Sequence, residues 1–121
     1  MISLLEVAER ARSGPKMDEK DWNLGLFRRM NELTKEYRLE RLGKEVFFDI
    51  DSCYADDAFQ AAVEFVANKG VFCVPVGRVI RFTEEEVREA IKKAPREVTV
   101  GQGRDARTLR KREIQDPRPT N

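Results

Sequence analysis

Gly101-Gln102-Gly103-Arg104-Asp105-Ala106 carries the densest chemical suggestion in the chain, because two glycines one residue apart let backbone N–H groups approach an anion. The dinucleotide pattern G-x-G-x-x-G nevertheless fails at Ala106, and no Lys-Ser or Lys-Thr pair follows. The next residues, TLRKRE, are not an apolar helix that could pack under a sheet. A tight structural turn is favoured over nucleotide binding, with Arg104 and Asp105 bonding to backbone or to neighbouring charges. A role in holding an interface to a larger domain is the next reading. Arg104, Arg107, Arg110, Lys111 and Arg112 form a basic run that could meet phosphates. Asp105 and Glu113 dilute it, and no aromatic side chains are interleaved to stack on bases, so nucleic acid is disfavoured as a partner.

Asp49, Asp51, Asp56 and Asp57 are a candidate oxygen-ligand set, but they lack the calcium-loop spacing and its closing bidentate Glu. Helix capping and turn chemistry account for them, and Glu84, Glu85 and Glu86 suit a first helical turn in the same way. Cys53 and Cys73 are too few and too widely spaced for a disulfide framework, and Cys53 has no basic partner to make it a nucleophile. Two reduced thiols are expected, Cys73 buried in a strand. The chain has no His, which removes the usual neutral-pH general base and the commonest zinc ligand. No catalytic, cofactor-binding or metal-binding residue is assigned on these grounds.

The scaffold that must position these residues is small. At 121 residues, 40% hydrophobic and 37% charged, the chain supports one modest core. Its 23 Lys and Arg against 22 Asp and Glu leave a formal charge of +1, with no global field for nucleic acid or an anionic membrane. There is no run of eighteen apolar residues, and Met1 opens directly onto ISLLEVAERARS without an apolar leader. A cytoplasmic protein with no membrane partner is expected.

Ser3 followed by Glu6 is a capping-box spacing and predicts a short helix over 3–12, stopped by Ser13-Gly14-Pro15. A longer helix is predicted over 18–38, with Trp22, Leu26, Met30, Leu33 and Tyr37 as its packing stripe. Residues 39–45 read as a link and 46–50, VFFDI, as a short strand. A third helix carries Ala58, Phe59, Ala62, Val63 and Val66 on its apolar face, with Asp56 or Asp57 near its start and Gly70 as its C-terminal cap. Val71–Val74 and Val79–Phe82 flank a reversal at PVGR and predict a hairpin. Thr83 and Glu86 form a second capping box for a helix that Pro95 ends, and Val98 and Val100 supply a third short strand.

Three of these segments, DEKDWNLGLFRRMNELTKEYRL at 18–39, ANKGVFCVPVGRVIRFTEEEVREAI at 67–91 and VTVGQGRDARTLRKRE at 98–113, taken in order, resemble the N-terminal region of the monomethylamine:corrinoid methyltransferases. RFTEEEVREAIKKAP and GRDA also look like pieces of the related trimethylamine and betaine methyltransferases. The resemblance implies a parent subunit several times longer, built as a TIM barrel with this portion packed beside it. It also implies a pyrrolysine in that barrel and a methyl group passed to the cobalt of a corrinoid on a separate protein. None of those catalytic positions falls in the matched segments, and a barrel needs roughly 250 residues.

The expected fold is therefore α+β: a helical region at 1–45, a small α+β region at 46–113 that would pack on the absent barrel, and a flexible tail at 114–121. The chain alone is expected to be non-catalytic and to serve support or assembly, as a fragment or truncated relative. Its partners would be the missing barrel or a second copy, and through the parent enzyme a corrinoid protein. A stand-alone interaction module is the alternative. The structural or interface candidates are Trp22, Tyr37, Arg78, Arg104, Asp105 and Arg107. Residues 77–112 would face the barrel, and helix 22–37 would form a lid, side layer or subunit contact.

Overall fold

A computed structural model describes residues 1–42, 51–113 and 116–118. The expected strand at 46–50 lies outside the described residues. The chain divides into two compact units, 1–91 and 92–121. The near-neutral total conceals a separation of charge between them: residues 1–91 hold 18 acidic and 14 basic side chains, and residues 92–121 hold 4 acidic and 9 basic.

In the first unit, α1 spans Leu4–Ser13 and begins with the full reciprocal box. The Glu6 N–H donates to Ser3 Oγ at 3.2 Å while the Ser3 N–H donates to the Glu6 carboxylate at 2.7 Å. Helix α2, Glu19–Glu36, is capped by Asp18, whose carboxylate accepts from the Lys20 N–H at 2.9 Å. Of its expected stripe, Trp22 and Leu33 are buried and Leu26 and Tyr37 half-buried, but Met30 is exposed. Helix α3, Ser52–Lys69, starts a few residues earlier than the sequence suggested, because Asp51 rather than Asp56 or Asp57 accepts the orphan N–H of Cys53, at 3.2 Å. Its buried residues are Ala61 and Val63, whereas Phe59 and Ala62 face solvent, so the packed face is rotated from the expected one.

Gly70 ends α3 with φ at 72° and ψ at −153°, a positive-φ conformation that glycine adopts without strain, and its N–H donates to Val66 O at 2.7 Å. Strands β1, Val71–Cys73, and β2, Arg78–Ile80, form the antiparallel hairpin, with Phe72 opposite Val79 and a 3-10 turn at Val74–Val76 between them. The stretch before α2 adds a further rung: Lys16 bridges Arg78, the Met17 N–H donates to Gly77 O, and the Val79 N–H donates to Pro15 O. Val79 thus lies between β1 and residues 15–17 and is 1% exposed. Burying a side chain of this size stabilises by about 2 kcal/mol. With Trp22, Leu33, Ala61, Val63 and Ile80 it makes up the apolar core.

Helix α4, Glu84–Lys93, carries the second reciprocal capping box, between Thr83 and Glu86. In the second unit, β3, Glu97–Val100, pairs antiparallel with β4, Arg107–Arg110, through a 3-10 turn at Gly103–Asp105. The register places Val98 opposite Leu109 and Thr99 opposite Thr108, so apolar Val98, Val100 and Leu109 share one face of the ribbon. Strand β4 was not expected from its charged sequence. Among the described residues the strands form only these two separate two-stranded antiparallel sheets, and no closed barrel. The architecture is α+β.

Candidate functional site

The residues singled out from the sequence fall into three places. Trp22 lies in the first turn of α2, where its indole stacks on Phe72 of β1 with ring centroids 5.7 Å apart and planes at 22°. Lys69 Nζ, from the last turn of α3, sits 5.4 Å from the centre of the Trp22 ring. One large side chain therefore ties a helix start, a helix end and a strand together, combining apolar burial with cation–π attraction.

Tyr37 closes α2 at the other end. Its hydroxyl donates to the Glu64 carboxylate of α3, which also accepts from Gln60 Nε2 at 3.4 Å. Arg29 lies 3.8 Å from Glu64, and Arg88 of α4 donates to Gln60 Oε1 and to Glu84. The Tyr37 hydrogen bond is the largest influence holding Glu64 below its ordinary pKa, and the same bond raises Tyr37 above its own. Three helices are thereby joined by a chain of polar contacts.

Arg78 of β2 reaches the turn after α1 and donates to Gly14 O at 2.5 Å. Beside that turn is an open cleft of about 470 Å³, lined among others by Arg10, Gly14, Val79, Arg81 and Thr83. Arg10 is committed within it. Its guanidinium donates two bonds to the Glu86 carboxylate, at 2.8 and 2.6 Å, and one to Arg81 O at 3.0 Å. The Arg10 bonds, with the backbone N–H of Thr83, hold Glu86 at about 2. A fully paired Arg–Glu couple in an open cleft positions α1 against α4 and leaves neither group available as acid, base or nucleophile.

Arg104, Asp105 and Arg107 belong to the turn of the second hairpin. The Asp105 N–H donates to Gln102 O at 3.1 Å, and Arg107 donates to Arg104 O and Ala106 O at 3.2 and 2.9 Å. Arg104 and Arg107 are exposed. Glu97 pairs with Arg110 across the two strands at 3.1 Å. Cys53 is exposed in the first turn of α3, and Cys73 is half-buried in β1 rather than fully buried.

Among the described residues, no three His, Cys, Asp or Glu side chains come close enough to hold a metal ion. No described helix is long and apolar enough to cross a membrane. The contacts that organise the first unit, Arg10 with Glu86 and Trp22 with Phe72 and Lys69, were not found from the sequence, since their partners are far apart along the chain and follow no local spacing.

Comparison with known proteins places this arrangement. The chain is 34% identical over 111 residues to a monomethylamine methyltransferase of Methanosarcina mazei, and likewise to one of Methanosarcina acetivorans. In each case 91% of this chain is covered and 24% of the relative, so the chain spans about a quarter of the length of the relatives it matches. The crystal structure of the Methanosarcina barkeri monomethylamine methyltransferase superposes with a TM-score of 0.76 at 30% identity, covering 88% of this chain and 23% of that one. The family model described as monomethylamine methyltransferase MtmB matches residues 2–120, and the chain therefore belongs to the MtmB family, corresponding to its N-terminal region.

Proposed function

We propose that this chain is a support and assembly element of a monomethylamine:corrinoid methyltransferase, and that the chemistry resides in a barrel it does not contain. The observation that supports the reading most is the combination of a family match over residues 2–120 with coverage of only 24% of the relatives' length. In the family the resemblance implies, a barrel pyrrolysine orients the amine and a corrinoid on a separate protein accepts its methyl group. This chain offers no set that would ligate a cobalt: its sequence has no His, and among the described residues the carboxylates and thiols form no ligand cluster.

What these residues do is hold elements in place. Trp22, Tyr37 and Arg78 fix α2, α3 and the first hairpin, while Arg104, Asp105 and Arg107 stabilise and decorate the turn of the second. The exposed apolar face of that hairpin, Val98, Val100 and Leu109, is the surface we assign to the barrel. The compartment proposed is the cytoplasm. A second reading, a stand-alone interaction module, draws on Leu4 and Leu5, which are 84% and 82% exposed on α1.

Intact mass of the native protein, captured with an antibody against residues 18–38, separates the two. The chain has a mass of 14.0 kDa and covers 24% of its relatives, so the assembly reading expects a polypeptide roughly four times heavier, or a 14.0 kDa species bound to a separate barrel. A 14.0 kDa protein recovered without any barrel would overturn it and leave the module.

A further inference from the structure

The second hairpin keeps its two faces chemically apart. Side chains alternate along each strand, so Glu97, Thr99, Thr108 and Arg110 share one side of the ribbon. That side is bonded within itself: Glu97 pairs with Arg110 at 3.1 Å, and the Thr99 and Thr108 hydroxyls meet at 2.9 Å. The opposite side carries Val98, Val100 and Leu109, which are 45%, 49% and 51% exposed.

The ladder runs one rung beyond the strands, because the Lys111 N–H donates to Arg96 O at 2.7 Å. By the same alternation Arg96 and Lys111 fall on the apolar side at one end. Arg107, opposite Val100, falls at the other end, next to the turn that holds Arg104. Arg96 and Val100 are four residues apart, so at about 3.4 Å per residue the two basic ends are separated by about 14 Å. Arg96, Arg104 and Lys111 are exposed and meet no carboxylate among the described residues, and the bonds of Arg107 go to backbone carbonyls. Asp105 is the single carboxylate of the turn. Residues 92–121 contain no Phe, Trp or Tyr. The ribbon therefore lacks both the stacking platform of a single-strand nucleic-acid binder and the aromatic anchors of a membrane-surface segment.

We infer that the protein surface covering this face is an apolar strip with carboxylates at both ends, which seat the ribbon by pairing with Arg96 and Lys111 at one end and with Arg104 and Arg107 at the other. The inference rests on the proposed barrel being the occupant, and it adds the chemistry of the barrel surface. The chain covers 24% of its relatives' length, so most of such a protein lies outside the matched part and can supply that surface. Apolar burial is non-directional, and Val98, Val100 and Leu109 alone would not fix where along its partner the ribbon rests. Two charged ends do fix it, since a shift along the strands leaves cations opposite apolar atoms.

Hydrogen exchange of the β3–β4 amides in the native protein, with its barrel attached or bound, reads the contact. Those amides should be protected at low salt and should exchange faster as salt is raised. Arg96→Glu combined with Lys111→Glu should speed their exchange about tenfold while α2 and α3 exchange as before. Glu97→Arg combined with Arg110→Glu, a swap on the opposite side, should change it by less than about twofold. If intact mass shows a barrel and the Arg96 and Lys111 reversals leave ribbon exchange unmoved, the inference fails and the proposed function stands. If intact mass shows no barrel, the proposed function fails and takes the inference with it. Protection that appears only on adding phosphatidylserine vesicles would also overturn the inference and assign the face to a membrane.

Discussion

Arg10 and Glu86, 76 positions apart, meet through two guanidinium–carboxylate hydrogen bonds, and the same carboxylate accepts the Thr83 N–H that starts α4. One side chain thus closes a helix cap and joins that helix to α1.

This double duty gives a pH signature. Glu86 is held at about 2 in the fold against an ordinary 4.5, so the unfolded chain binds the extra proton between those values. The stabilisation is complete above about pH 5 and is lost as pH falls through about 2. Urea unfolding midpoints should decline over that window, and Glu86→Gln should flatten the decline. An unchanged slope in the variant would mean that other carboxylates govern acid unfolding.

The Tyr37–Glu64 contact acts at the opposite end of the scale. Tyr37 is raised above 10.0, chiefly by its hydrogen bond to Glu64, so the contact contributes fully below pH 10 and is lost as pH rises through the higher folded value. Tyrosinate absorbance of a Tyr54→Phe variant should show Tyr37 ionising late, and adding Glu64→Gln should bring it earlier. A titration unmoved by the second change would remove Glu64 as the cause.

Gly14 is the tightest steric point in the first unit. A Cβ there would lie 2.1 Å from Val79 O and 2.8 Å from Arg10 O, both backbone atoms that cannot swing aside. Gly14→Ala should cost about 3 kcal/mol or more, by analogy with overpacked cores. Gly77→Ala places its Cβ no closer than 4.0 Å to Met17 O and meets only the left-handed backbone cost of about 1 kcal/mol. Chemical denaturation of the two variants checks the order, and equal losses would contradict the steric account.

What could be read from the sequence was what is local. Ser3 with Glu6 and Thr83 with Glu86 define helix starts within four residues, and both boxes are formed. Gly70 and the reversal around Gly77 depend on single-residue backbone preferences and are where they were expected. Met30 was misplaced because it lies at the flank of the buried face of α2, and helical spacing alone does not say where along that flank the core contact ends. Strand β4 escaped notice because Arg107–Arg110 has little apolar content, and its strand character comes from pairing with Val98 and Val100. Three Asp residues compete near the start of α3, and only the geometry of the Cys53 N–H selects Asp51. The family of the chain was legible from the order of its three matching segments.

Every buried apolar side chain among the described residues belongs to 1–91, whereas the β3–β4 ribbon has four rungs and no buried side chain. A two-stranded ribbon of that kind is marginal on its own. Its amides are therefore the first to trade hydrogen with solvent, and its arginine-rich strand is the first segment a trypsin-like protease can reach, while α2 and α3 stay protected. The most basic part of the molecule is thus the part whose order depends most on what it touches.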